Sequence, residues 1–322
     1  MKRFLTLGLP GLLLLLFLLS LGSPWSPILE LAQRDADLAG AILLELRLPR
    51  AILALVYGAM LGASGAAIQA LFANPLASPD LTGTTSGAAL GAVVTAYLFA
   101  FASPFALAGG AVLGALGALA LLLLLAGPRA EAATLLLSGI AISALAGALT
   151  TLALALAPSP FAFYDAYAWL MGSLADRSLN QALFAAVPAG AALLALWRFR
   201  SPLDSLVLGE DVAQSLGHDV RRMRLWIICL TAVGVGACVA VCGAVGFIGL
   251  VAPVFARWFV GGHPGRALGP AALIGACLLL GADVLARTAP LGRMLPLGVI
   301  TALLGAPFFL WLVAHMRWSL SR

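Results

Sequence analysis

Few side chains in this sequence are of a kind that could do chemistry. The three histidines, His218, His263 and His315, lie far apart along the chain. No His-Glu-x-x-His zinc motif and no Gly-x-Ser-x-Gly nucleophile motif occurs. Lys2 is the only lysine, which excludes a Gly-Lys-Ser/Thr phosphate-binding loop and Schiff-base chemistry on an internal lysine. We therefore expect no catalytic residue, no metal site and no cofactor within this chain.

One acidic residue, Asp283, lies inside a long apolar run, and Arg287 follows it four residues later. This i,i+4 spacing places the carboxylate and the guanidinium on the same face of a helix. We interpret the two residues as a structural ion pair. A proton relay is the alternative, because ionisable groups within apolar spans often carry protons in pumps and carriers.

Charged side chains gather in one interior stretch, residues 204–222, which holds four acids, two arginines and a histidine. Within this stretch Leu208, Val212 and Leu216 recur at i, i+4 and i+8. That spacing is typical of an apolar stripe along one face of a helix. The remaining positions are polar, so the stretch predicts a short amphipathic helix over about residues 205–218.

The ends of this helix carry the expected signals. Glu210 lies in the first turn, where negative charge suits the helix dipole, and Gly217 lies where a glycine commonly ends a helix. Helices that lie on a membrane surface favour lysine and arginine on their polar face. This one carries acids instead, which favours docking in a groove of a partner protein over binding to lipid.

Two further segments contain polar groups beside apolar runs. "LRLPR" places Arg47 and Arg50 at the start of a long apolar helix, where they either anchor it at lipid headgroups or accept carboxylates of another protein. The polar run Asn74–Ser86 breaks the chain with two prolines and continues into the next apolar stretch. Either it is a tight loop, or Thr85 and Ser86 line a cavity, where irregular backbone is tolerated.

The composition decides the environment of these segments. The chain has 322 residues, of which 62% are hydrophobic and only 10% charged, against about 25% charged in an average soluble domain. Its apolar runs are long enough to cross a hydrocarbon core of about 30 Å, and in lipid they must be helical. The sequence therefore predicts an all-α polytopic membrane protein, in which the net charge of +5 reflects orientation and not nucleic-acid binding.

Hydropathy predicts about ten transmembrane helices within a single domain, residues 1–322, with the division near residues 243–246 the least distinct. The spans fall near residues 4–21, 51–71, 83–101, 106–126, 132–157, 181–197, 225–244, 246–260, 268–287 and 296–314. With the N-terminus inside, the inner loops hold twelve basic residues and the outer loops six, as the positive-inside rule requires. Both termini and the predicted amphipathic helix are then cytoplasmic.

Several stretches in order along the chain resemble the FecCD family, the permease subunits of ATP-binding cassette (ABC) importers for ferric siderophores, haem and cobalamin. The matching segments cover most of the sequence: "RLPR" (47–50), "GASGAAIQALFANPLASPD" (62–80), "LLLSGIAISA" (135–144), "WLMGSL" (169–174), "LGEDVAQSLG" (208–217), "GAVGFIGLVAP" (243–253), "GADVLAR" (281–287) and "LPLGVITALLGAPFF" (295–309).

The resemblance implies the type II ABC importer architecture in the bacterial inner membrane. A second copy of this chain, or a related permease, would complete the pathway. Two cytoplasmic ATPase subunits, which bind ATP and Mg²⁺, and a periplasmic or lipoprotein substrate-binding protein would complete the importer. The resemblance also assigns roles to three groups of residues. ATPase coupling is assigned to Leu208, Gly209, Glu210, Val212, Leu216 and Gly217, and binding-protein docking to Arg47, Arg50 and Arg293. The translocation path and gate are assigned to Thr85, Ser86, Ile142 and Ser143.

Two positions depart from the family pattern, which usually has histidine where Val254 stands and glutamate where Met294 stands. The second departure bears on the docking surface. The "NPLASPD" and "WLMGSL" segments resemble the ferric-siderophore branch, with haem and cobalamin as alternatives. From another class, a secondary carrier remains an alternative, and the scarcity of charged groups within the spans counts against it.

Overall fold

The computed structural model describes residues 8–22, 25–98, 103–127, 132–288 and 295–320. No β-strand occurs in these ranges, which confirms the predicted all-α fold class. The α-helices are α1 (Leu9–Gly22), α2 (Trp25–Arg34), α3 (Ala36–Ala41), α4 (Leu48–Leu71), α5 (Thr84–Leu98), α6 (Pro104–Ala126), α7 (Ala132–Ala155), α8 (Pro160–Leu170), α9 (Leu179–Leu196), α10 (Arg200–Ser205), α11 (Glu210–Ser215), α12 (Val220–Cys242), α13 (Ile248–Val260), α14 (Pro264–Thr288) and α15 (Leu297–Leu320).

Ten of these helices correspond one to one with the predicted spans. Six helical stretches are long and apolar enough to cross a membrane: Ala36–Leu71, Phe105–Ala126, Ala132–Ala155, Leu179–Leu208, Val220–Cys242 and Pro264–Thr288. The helices Leu9–Gly22, Ile248–Val260 and Leu297–Trp311 are apolar but shorter, and α5 occupies the remaining predicted span. The chain is thus a multi-pass membrane protein, with the break between α12 and α13 at the expected place.

The segment between the first two predicted spans joins α1 to α4. It is largely helical: α2 and α3 lead through a π-helix, Ile42–Arg47, directly into α4. Four of the six residues of the π-helix are leucine or isoleucine. A hydropathy window therefore detects the apolar run but not its change of helical pitch.

Helix α4 lies at the centre of the bundle. Seventeen of its 24 residues are buried, and it packs against α9, α12, α13 and α14. Its glycines allow this closeness, because a Cβ atom at Gly58 would overlap the backbone of Gly275 in α14, and the reverse also holds. A Cβ atom at Gly65 would likewise overlap the backbone of Gly249 in α13. Small residues let the helices approach closely, and this close packing stabilises them in lipid, where no hydrophobic effect drives their association.

Three irregular segments meet beside α4 and satisfy one another's backbone groups. The Ser173 N–H donates to the Cys242 carbonyl at 2.8 Å. The Leu297 N–H donates to the Gly172 carbonyl at 3.0 Å, and the Gly298 N–H donates to the Met171 carbonyl at 3.0 Å. Because lipid offers no hydrogen-bond partners, such mutual pairing is what permits the helices to begin and end here.

Tyr57 of α4 completes this junction. Its hydroxyl donates to the Gly243 carbonyl and accepts from the Val245 N–H, both at 3.2 Å, and the side chain is fully buried. The two bonds hold the connection between α12 and α13. They fix an open backbone turn against the central helix.

The close contact of α4 with α14 leads to a stability prediction. Gly275→Ala inserts a methyl group into the α4 backbone, so we expect the protein to lose about 1–3 kcal/mol of unfolding free energy. Gly281→Ala in the same helix is the control, because no atom lies within 4 Å of its added Cβ. Thermal unfolding in detergent measures both. Equal melting temperatures for the two variants would contradict this view of the helix contact.

Candidate functional site

The charged stretch forms a sharply bent connection between α9 and α12. After α10 the chain makes a 3-10 turn, Leu206–Leu208, and then α11, which begins only at Glu210. The prediction of one helix over about residues 205–218 is therefore wrong at its start. Gly209 has φ +101°, a conformation that favours glycine and interrupts the helix.

The end of α11 lies where it was predicted. Gly217 has φ +87°, and its N–H donates to the Gln214 carbonyl at 2.9 Å. The His218 N–H donates to the Ala213 carbonyl at 3.1 Å. This pair of bonds is the Schellman motif that commonly ends a helix at glycine.

The apolar stripe of this segment faces away from the bundle. Leu208, Val212 and Leu216 are 64%, 42% and 59% exposed, whereas Ala213 on the opposite side is fully buried. The stripe is short, and it is followed in the chain by the polar residues His218 and Asp219. A surface of this kind is covered when a partner with an apolar groove binds to it.

The acids of the stretch hold α11 in place. A carboxylate oxygen of Glu210 lies 2.5 Å from Nη2 of the buried Arg224 in α12. Asp204 accepts from the Gly265 N–H at 2.8 Å, which joins the segment to the first turn of α14. Asp219 caps the start of α12 by accepting from the Arg222 N–H at 2.9 Å. These contacts connect α10 and α11 to the first turn of α14 and to α12.

Near the N-terminal end of α4, Asp283 of α14 lies between two arginines. It is 1% exposed, with Oδ1 2.8 Å from Nε of Arg50 and Oδ2 3.0 Å from Nη2 of Arg287. Arg287 also donates to the Ser20 carbonyl at 2.9 Å. The predicted pair of Asp283 and Arg287 is thus part of a larger group that ties α1, α4 and α14 together.

The predicted docking arginines differ in their surroundings. Arg47 is half-buried and donates to the Leu21 carbonyl at 2.9 Å. Arg50 is only 12% exposed, because it pairs with Asp283. Sequence inspection missed this partner, which lies 233 residues away. Arg293 lies outside the described residues, as does Met294.

The residues predicted for the pathway and its gate come together in one cluster. Thr85 is buried and Ser86 half-buried at the start of α5. Ile142 of α7 is buried against Gly83, just before that helix, where φ is +79°. Ser143 donates to the Asp80 carbonyl at 3.2 Å, which links α7 to the same turn.

A wide apolar cleft opens beside the irregular junction. Its volume is about 680 Å³, and its walls come from the end of α8, the connection between α12 and α13, and α15. Met171, Ala244, Gly298 and Leu303 are among its lining residues. Almost all of the side chains that line it are apolar.

Comparison with known proteins identifies the chain. The FecCD transport family matches residues 9–315. The sequence is 40% identical to the hemin transport system permease protein HmuU of Yersinia pestis, over 95% of each chain. It is 39% identical to the vitamin B12 import system permease protein BtuC of Vibrio cholerae, over 84% of this chain and 82% of that protein. It is 38% identical to the Fe(3+) dicitrate transport system permease protein FecD of Escherichia coli, over 98% of each.

A solved structure agrees in fold. It is that of a metal-chelate type ABC transporter in an inward-facing conformation, and it matches with a TM-score of 0.87 and 31% identity. The match covers 98% of this chain and 100% of the solved chain. The chain therefore belongs to the FecCD transport family and is the permease subunit of an ABC importer.

Proposed function

We propose that this permease carries a ferric siderophore across the bacterial inner membrane, driven by ATP that a partner subunit hydrolyses. The observation that supports the driving mechanism best is the exposed apolar stripe, which begins at Leu208 in the turn before α11 and continues along the anchored helix α11. A stripe that only lay on lipid would need no ion pair to a buried arginine. A stripe that transmits force needs such an attachment.

In this proposal α11 is the coupling helix. An ATPase dimer with bound ATP and Mg²⁺ grips Leu208, Val212 and Leu216, and Gly209 and Gly217 set the bends on either side. Glu210 passes the movement to α12 through Arg224, which is 2.5 Å away. The distribution of basic residues favours placing this face, and both termini, in the cytoplasm.

The other face would receive a periplasmic or lipoprotein binding protein through Arg47, Arg50 and Arg293. Of the described pair, Arg47 is the one without a carboxylate partner in the described residues, since Arg50 is paired with Asp283. A guanidinium can bind a carboxylate through two parallel hydrogen bonds. Asp283 and Arg287 would then hold α1, α4 and α14 together beneath the surface where the binding protein docks.

A second copy of the chain would close the wide apolar cleft into a central path. The two subunits would face each other across this cleft, with Thr85, Ser86, Ile142 and Ser143 nearer the inner end. The cleft by α15 has largely apolar walls, so specificity for the cargo would reside mostly in the binding protein.

A ferric siderophore is the cargo we favour, because the segments around Asn74–Asp80 and Trp169–Leu174 resemble that branch and the ferric dicitrate permease covers 98% of this chain. Haem is the second candidate, since the hemin permease is 40% identical. Cobalamin is the third, on the 39% identity to the vitamin B12 permease. A gene beside this one for an ATPase with a Walker A motif would agree with all three and not with a secondary carrier.

The coupling assignment can be tested by charging the stripe. Leu208→Asp together with Val212→Asp should lower ATPase affinity by about a hundredfold or more, because two apolar contacts worth about 1.5 kcal/mol or more each are lost. The bundle should remain folded, since both side chains are exposed. Co-purification and a binding titration measure the effect.

The control for that experiment is Gln214→Asp with Ser215→Asp, which adds the same charge on exposed positions of α11 outside the stripe. This control should bind the ATPase nearly as well as the unmodified chain. Equal binding by both double variants would show that the coupling surface lies elsewhere.

The docking assignment predicts that Arg47→Glu weakens binding-protein affinity by about tenfold or more and reduces the dependence of this affinity on salt. The reason is that an attraction between Arg47 and a carboxylate of the binding protein becomes a repulsion between two carboxylates. Arg34→Glu in α2 is the matched control, since Arg34 is exposed and changes charge equally. A binding titration at low and high salt separates the two. Unchanged affinity for Arg47→Glu would leave that arginine as an anchor of its helix.

A further inference from the structure

We infer that a cleft beside the coupling helix binds an acidic side chain of the ATPase, with Arg257 as the receiving group. This inference rests on the proposed function, because it adds a second contact to the same partner. The cleft has a volume of about 210 Å³ and lies where three connections meet. They are the turn after α4, the 3-10 turn before α11 and the turn after α13, which contribute Asn74, Val207 and Gly262.

Arg257 lies in the last turn of α13 and forms part of the cleft wall. Its Nη2 donates to Oε1 of Gln69 at 2.7 Å. The Gln69 side chain is in turn fixed, since its Nε2 donates to the Leu250 carbonyl at 3.2 Å. The guanidinium is therefore held in one position at the edge of a cavity that is open to solvent.

The hydrogen-bond partner of Arg257 is a neutral amide, whereas two arginines of α12 have carboxylate partners. Arg224 pairs with Glu210, and Arg222 pairs with Asp219. Arg200 lies 4.6 Å above the ring of Trp197. Within the ranges that the structure describes, no carboxylate lies within 4.0 Å of Arg257.

A half-buried guanidinium without a counter-charge is costly unless an anion reaches it. The amide of Gln69 satisfies one N–H group but supplies no negative charge. The remaining donors of the fork match the two oxygens of a carboxylate. The site thus has an open cleft and a positioned guanidinium but no negative charge, so the ligand that fits it is an anion.

The position of the cleft favours the ATPase as the source of that anion. Val207 belongs to its wall and is 65% exposed, and the next residue, Leu208, begins the apolar stripe. A protein that covers the stripe therefore also covers the cleft. A lipid headgroup is a different source of negative charge, and the experiment below separates it from the protein.

The test compares ATPase affinity for three variants in phosphatidylcholine nanodiscs. Arg257→Gln removes the charge, and Gln69→Glu keeps the arginine but neutralises it from within, 2.7 Å away. Both should raise the dissociation constant by about tenfold or more, the effect of losing one charge-assisted hydrogen bond. Arg266→Gln is the control, because that exposed arginine of α14 loses the same charge, and its affinity should stay within about twofold.

The outcomes separate this inference from the proposed function. If the unmodified chain binds no ATPase, the importer mechanism proposed above fails, and this inference fails with it. If it binds and both cleft variants bind equally well, only the cleft assignment is wrong. If phosphatidylglycerol raises the melting temperature of the unmodified chain but not of Arg257→Gln, and ATPase affinity is unchanged, the ligand is a lipid and the inference is overturned.

Discussion

The rest of the structure depends on the direct backbone contact between α4 and α14. Gly58 and Gly275 leave no room for a side chain between these helices, and α4 is buried along most of its length. With no hydrophobic effect between helices in lipid, such van der Waals contact is the main source of association. Helices α1, α9, α12 and α13 pack against one or both members of this pair.

Helix α4 carries one polar contact at each level of the bundle. Arg50 binds Asp283 near one end, Tyr57 binds the connection between α12 and α13 in the middle, and Gln69 binds Arg257 near the other end. Each contact joins α4 to a helix that also takes part in a proposed functional surface. In our proposal the central helix therefore links the docking face, the path and the coupling face mechanically, without any titratable relay between them.

The sequence was informative wherever local composition decides structure. Hydropathy located ten helices and the break before Ile248, because lipid requires long apolar runs to be helical and glycines permit the turn. Gly217 marked the end of α11 because its backbone conformation favours glycine. The family resemblance supplied the class of protein from short motifs distributed over the chain.

Long-range pairing was beyond the reach of the sequence. Asp283 was assigned to Arg287 by spacing, and its second partner, Arg50, could be found only from the packing of α4 on α14. Gln69 and Arg257 lie 188 residues apart, so no periodicity connects them. The π-helix at Ile42–Arg47 and the bend at Gly209 depend on local dihedral angles that apolar patterns do not encode.

In our proposal, ATP hydrolysed at the cytoplasmic face drives a metal chelate through this chain and into the cytoplasm. Uptake into liposomes tests it most directly, with the chain, its ATPase and its binding protein reconstituted together and ferric siderophore, haem and cobalamin offered in parallel. We expect ATP-dependent accumulation of the ferric siderophore, and none for the variant Leu208→Asp with Val212→Asp. Accumulation of a cargo without ATP, or at an unchanged rate with the charged stripe, would contradict it.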